Sequence, residues 1–138
     1  EGWVSSMMLR GKTIRLLKPG SAMNGNGVMV RRFLERTGGD PQHCDIVHDD
    51  ADLLLGEVRF KFEGGDAGHR GMRSVISALG TGGIPRVRLG IRRRGDKTKA
   101  RRFVLSKFSS AEGAILSRMI GKASGTLKER LQSLLEDE

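Results

Sequence analysis

Tyrosine is missing altogether from this 138-residue sequence, and the other aromatics are one Trp and five Phe. A platform of rings for stacking single-stranded bases is therefore not expected. Cysteine is nearly absent too. The lone Cys44 has no internal disulfide partner, and its neighbours Asp45, Ile46 and Val47 predict the start of a buried strand holding an inert thiol. A reducing, intracellular compartment fits that usage. No apolar run approaches the length of a membrane span. No predicted helix sets a clean basic face against a bulky apolar one, so a membrane is not an expected partner. The chain opens on Glu1 without a signal or transit pattern. Repeats and low-complexity linkers are also lacking, so residues 1–138 read most simply as one domain.

Positive charge is what the sequence has in excess. Twenty-five Lys and Arg against sixteen Asp and Glu give a net charge of +9 and a pI near 10.6. Such a surface favours polyanions, of which nucleic acid is the usual one, although a solubilising shell would look similar. The 20 glycines call for tight turns and close backbone approaches.

Periodicity divides the chain into alternating strands and helices. Trp3–Leu9 and Thr13–Leu17 read as a hairpin turned at Arg10-Gly11-Lys12. A helix over Val28–Arg36, with Val28, Val30, Phe33 and Leu34 inward, ends at Gly38-Gly39. Cys44–His48 reads as a short buried strand with Asp49, Asp50 and Asp52 at its carboxyl end. Glu57–Phe62 alternates like a half-buried strand, and the Gly-rich loop 64–71 feeds a helix through Val75, Ile76 and Leu79. Val87–Ile91 is a further strand. Ser109 and Glu112 have capping-box spacing ahead of Ile115, Leu116, Met119 and Ile120. Gly121 and Gly125 are expected to interrupt that helix before a last one through Leu127, Leu131, Leu134 and Leu135. The pattern implies an α/β fold: a mixed, mostly parallel sheet flanked by helices. Ligands in such sheets gather at strand carboxyl ends, which draws attention to the loops after Leu17, His48, Phe62 and Ile91.

Four clusters in those loops carry chemistry. The amides of Asn24 and Asn26 in Met23-Asn24-Gly25-Asn26-Gly27 suit either a helix cap or a grip on a peptide carbonyl. In His48-Asp49-Asp50-Ala51-Asp52 a carboxylate could hold an imidazole for general-base work. His48 and Asp49 point to opposite faces of a strand, so they are not that pair. Asp-rich turns are common, and no metal is expected. Gly64–Gly71 runs into a helix start without the Lys-Ser/Thr ending of a phosphate-binding P-loop. It reads as a plain loop or as a cradle for an oxyanion. The last cluster is basic: Arg59, Lys61, Arg73, Arg86, Arg88, Arg92, Arg93, Arg94, Lys97, Lys99, Arg101 and Arg102. These groups suit phosphates, the alternative being a solvated charge run.

In their order and spacing, these segments resemble the bacterial-type peptidyl-tRNA hydrolase family. The resemblance is carried by Ile14–Pro19 through Met23-Asn24, by Val47–Asp52, and by Arg59–Phe62 with Gly68-His69-Arg70-Gly71. It continues through Pro85–Ile91, Gly95-Asp96-Lys97 and Phe103-Val104-Leu105. It implies hydrolysis of the ester joining a peptide to tRNA, with neither metal nor cofactor. A histidine serves as base in that family, an aspartate orients it, and asparagine amides position the peptide. Asp49 then matches the orienting carboxylate, and Asn24 one of the amides. His69 and Arg70 fall in the peptide-positioning loop. Lys61 and Arg88 match a pair that clamps the tRNA 5′ phosphate, with Arg92, Arg93, Arg94 and Lys97 extending the RNA surface.

Against the family pattern, the sequence opens around the second strand and lacks the first. The catalytic histidine is then not among His43, His48 and His69. Arg70 stands where the family usually has Asn, and a guanidinium cannot accept a hydrogen bond. Three expectations follow. The first is a catalytically impaired relative that binds tRNA or rRNA, as a ribosome-associated factor or with ribosome-assembly proteins, in a mitochondrial or other organellar setting or the cytoplasm. The second is an active hydrolase whose histidine lies in an amino-terminal segment outside this chain. The third is a protein-binding scaffold using an open sheet edge.

Overall fold

The computed structural model describes residues 2–20, 25–96 and 107–136. Asn24, Lys97 and the Phe103-Val104-Leu105 segment lie outside these, as do Lys99, Arg101 and Arg102. The fold is mixed α/β, as the alternation implied. Its contacts divide into two compact units: Glu1–Cys44 with Glu63–Ile84, and Asp45–Phe62 with Pro85–Glu138.

In the first unit, β1 (Gly2–Leu9) pairs antiparallel with β2 (Lys12–Pro19). The turn between them holds Arg10 at φ 48° and Gly11 at φ 76°, the primed geometry that matches strand twist. Next come α1 (Asn26–Thr37) and α2 (Arg70–Leu79), each ended by a left-handed glycine, Gly38 and Gly80. The two helices touch at Gly27, whose N–H donates to Ser74 Oγ at 2.9 Å. A β-carbon on Gly27 would lie 2.0 Å from the Ser74 carbonyl oxygen, so only glycine allows the approach. This contact sets the inward face of α1. Gly27 and Val30 are buried, whereas Val28, expected inside, is 41% exposed. From α2, Met72 and Val75 are buried.

In the second unit, β3 (Ile46–Leu54), β4 (Val58–Lys61) and β5 (Arg86–Arg92) form one sheet in the order β3-β5-β4. β3 runs parallel to β5 and β4 antiparallel to it. The three-stranded sheet is thus mixed, with one pairing parallel and one antiparallel and neither direction in the majority. β3 is longer than expected and encloses the acidic cluster, with a register irregularity between Asp50 and Leu54. Cys44 precedes it and is half-buried, not a core thiol.

The direction of β4 has a consequence for the loops. Lys61 pairs with Arg86, so the chain leaves β4 at the amino end of β5, while β3 and β5 finish together at Leu54 and Arg92. The loop after Phe62 therefore does not join those after β3 and β5 at one sheet end.

The carboxyl-terminal helix, α3 (Gly113–Glu136), runs unbroken for 24 residues through Gly121 and Gly125. A mid-helix glycine costs only about 1 kcal/mol relative to alanine. The inward positions Ile115, Met119, Ala123, Leu127 and Leu131 keep one spacing across both glycines, with Met119 and Ala123 buried. The expected capping box is present, with Ser109 N–H donating to Glu112 Oε1 (2.7 Å) and Glu112 N–H to Ser109 Oγ (3.3 Å). Arg130 fastens the far half of α3. It donates twice to Asp45, at 3.0 and 3.1 Å, and lies over the rings of Phe60 and Phe62.

Candidate functional site

Cations collect on one face of the three-stranded sheet because of its register. Arg59 stands directly opposite Arg88, and Lys61 opposite Arg86. Residues facing each other across a ladder share a face. Arg59, Lys61, Arg86 and Arg88 therefore form one patch, with Arg92 in step along β5. Periodicity had announced the strand, but only pairing could show that the two sets of basic residues meet.

Their environments differ. Arg59 and Lys61 are exposed. Arg86 is 2% exposed, and its pKa is lowered by that burial and further by the charge of Arg88. Positive charge is thus crowded enough on this face to be felt between neighbours. The Nε of Arg88 donates to Asp50 Oδ2 at 2.7 Å, with the Asp50 side chain 6% and that of Arg88 24% exposed. The other Asp50 oxygen accepts from the Asp52 N–H at 2.8 Å. Asp50 is therefore a pin inside β3, a role its place in an acidic run had not revealed.

Asp49 alternates away from His48 and Asp50 and stands opposite Leu89, half-buried. His48 Nδ1 lies 2.6 Å from the main-chain oxygen of Asp49. A carbonyl only accepts, so this nitrogen carries the proton, and the bond between these neighbours runs to backbone. That agrees with the opposite-face expectation.

The three consecutive arginines after Ile91 part company. Arg92 ends β5 and is half-buried, while Arg94 is exposed. Arg93 is committed elsewhere: it donates to Glu112 Oε2 (2.8 Å), Glu112 Oε1 (3.1 Å) and the Lys107 carbonyl (3.0 Å). Nothing in the spacing of 93 and 112 signals that capture.

In the other unit, the segments that open α1 and α2 meet. A β-carbon at Gly71 would sit 3.0 Å from His69 Cε1 and 3.6 Å from Asn26 Nδ2. Asn26, read as one of two cap-or-grip amides, thus borders Gly71, as His69 does. The His69 ring caps α2, with Nδ1 accepting the Met72 N–H at 3.0 Å. Arg70, the first residue of α2, is exposed. Asp66 fixes the turn before it by accepting the Gly68 N–H (2.7 Å) and Arg73 Nε (3.2 Å). These two bonds hold its carboxyl below the usual carboxylate range. Among the described residues, no three His, Cys, Asp or Glu side chains gather to hold a metal, and no helix is long and apolar enough to cross a membrane.

A model of the family described as peptidyl-tRNA hydrolase matches residues 1–138. The chain belongs to that family. It is 38% identical over 122 residues to a peptidyl-tRNA hydrolase of Aquifex aeolicus, a match covering 88% of this chain and 64% of the relative. With the Synechocystis enzyme of the same name it shares 37% over 131 residues, covering 95% and 68%. The crystal structure of peptidyl-tRNA hydrolase from Acinetobacter baumannii superposes with a TM-score of 0.85 at 29% identity, over 99% of this chain and 69% of that one. The chain thus spans about two thirds of the length of these relatives, and a little less of the Aquifex protein.

Proposed function

We propose that this chain binds peptidyl-tRNA, with the cationic sheet face taking tRNA phosphates and the His69-Arg70 helix start taking the acylated 3′ end. We further propose that these 138 residues alone hydrolyse the ester poorly. Family membership supports the substrate class. The observation that carries the binding half is the alignment of exposed Arg59 and Lys61 with half-buried Arg88 on one sheet face, to which buried Arg86 adds charge but no phosphate contact. Arg forks and Lys ammonium groups suit phosphate oxygens, and their attraction is sequence-independent and salt-sensitive.

Support for the impaired reading comes from what two of the histidines are doing. A general base needs an imidazole lone pair in reach of water. The Nδ1 lone pair of His69 is taken by Met72. His48 has its Nε2 buried, and His43 sits in an exposed single turn of 3-10 helix. His48, the ring that shares β3 with Asp49, alternates to the other face and bonds the Asp49 backbone, so it is not the base that Asp49 would orient. Arg70 adds a donor where the resemblance expects an amide.

A second reading, that these 138 residues already release the peptide at the rate of their relatives, is favoured by the family match along residues 1–138 and by relatives named for the activity. One experiment separates the two. The chain is titrated into N-acetyl-aminoacyl-tRNA while binding and ester release are followed together. Saturable binding with release at least a hundredfold slower than by the Aquifex relative is expected, a size typical of a missing general base, about 10²–10⁴ in rate. Release at the relative's rate supports the second reading, and no binding rejects both.

A further inference from the structure

Among the described residues, β1 and β2 pair with each other and with no third strand. A ribbon of two strands is marginal in water unless something packs on it. Antiparallel strands with one face on a core and one in solvent alternate apolar with polar residues. This ribbon does not. Its register puts Trp3, Met7, Ile14 and Leu16 on one face and Val4, Met8 and Leu17 on the other. Ile14 and Leu17 are half-buried. Trp3, Met7 and Leu16 on the first face are each more than half exposed, as are Val4 and Met8 on the second. Apolar residues on both faces belong to a ribbon covered from both sides, and bare apolar area of this kind marks a contact surface.

We infer that the two faces of the β1–β2 ribbon seat a polypeptide segment of the family fold that lies outside these 138 residues, and that the chain binds this segment even when it is supplied separately. Two observations choose this occupant. The Acinetobacter baumannii structure superposes on 99% of this chain with 69% of its own length, so about a third of that fold has no counterpart in these residues. The ribbon itself disfavours a second copy. Residues 2–20 carry Arg10, Lys12, Arg15 and Lys18 and no acidic residue, so two copies would set like charges against each other. The faces accept the segment whichever chain carries it. Such a seat requires the family match alone and stands whether or not tRNA binds.

Trp3 is the only tryptophan, so its fluorescence reports on one of the faces. The probe is the stretch of the Aquifex aeolicus relative that precedes its match to this chain, made as a separate polypeptide, with a version of shuffled residue order as control. The segment is expected to shift Trp3 emission to the blue in a saturable way and to raise the melting temperature, as a ligand of the folded form does. The shuffled version is expected to do neither. Met7→Lys and Met8→Lys lie on opposite faces. Each is expected to weaken binding by about tenfold, because the seated segment would bury an ammonium group. Both should melt with the unaltered chain when no segment is present, since these side chains are already exposed. No shift, a shift shared with the shuffled control, or binding indifferent to both lysines would overturn the inference. Weakening in one variant alone would overturn it for the opposite face. A free chain that sediments as a dimer with its emission already blue would give the faces to a second copy. A shift produced by tRNA and not by the segment would give them to nucleic acid, and either result rejects the segment.

Discussion

Arg93 and Glu112 hold each other through two hydrogen bonds, 2.8 and 3.1 Å long, and Arg93 reaches on to the Lys107 carbonyl. An arginine that the sequence offers to RNA is thereby tied to the turn ahead of α3. The Glu112 carboxyl, held by Arg93 and by the Ser109 N–H, titrates at about 2 instead of 4.5.

That depressed value fixes a pH dependence. The folded form holds Glu112 ionised more firmly than the unfolded chain does, so the stabilisation is complete above pH 4.5 and is lost as pH falls from there towards 2. Glu112→Gln is therefore expected to melt below the unaltered chain at neutral pH, with the gap closing across that acid window. Arg93→Gln should behave alike and leave the salt dependence of tRNA binding unchanged. Melting curves across pH, with binding isotherms at several salt concentrations, check both.

The Asp50–Arg88 pair predicts non-additive stability. Removing Arg88 leaves a carboxylate in a site only 6% exposed. Arg88→Met is expected to cost about 3 kcal/mol, as for half of a broken buried pair. The double change Asp50→Asn with Arg88→Met should recover a substantial part of that loss. Urea denaturation of the two singles and the double measures the coupling.

Gly27 and Gly125 are glycines for opposite reasons, and alanine tells them apart. Gly27→Ala forces a methyl to 2.0 Å from the Ser74 carbonyl oxygen, and about 3 kcal/mol of destabilisation is expected from the overpacking. Gly125→Ala stands in open space within α3 and is expected to stabilise by about 1 kcal/mol through helix propensity. Opposite shifts in denaturation midpoint are the check.

Features whose cause is local were legible in the sequence. The Arg10-Gly11 turn, the Gly38 stop and the Ser109–Glu112 box each depend on a few adjacent residues. Partnerships made at long range were not. Arg130 and Asp45 lie 85 positions apart, and Arg93 sits in what reads as a solvated charge run. Strand direction also escapes periodicity, since alternation is the same read either way. The loop after Phe62, which the pattern groups with those after β3 and β5, accordingly leaves from the opposite sheet end. Val28 was misplaced because the Gly27–Ser74 approach, not apolarity, orients α1. At the site, the residue types were visible, whereas the shared face of Lys61 and Arg88 needed the β4–β5 register.

Lys61 gives the cleanest view of that face, because it is exposed and its loss leaves no buried charge behind. The deciding measurement is the affinity of the chain and of Lys61→Ala for N-acetyl-aminoacyl-tRNA as salt is varied. The account predicts steep weakening with salt for the unaltered chain, and for Lys61→Ala a logarithmic slope shallower by about 1, with the melting temperature unchanged. Binding that ignores salt, or an identical slope in the variant, would contradict it.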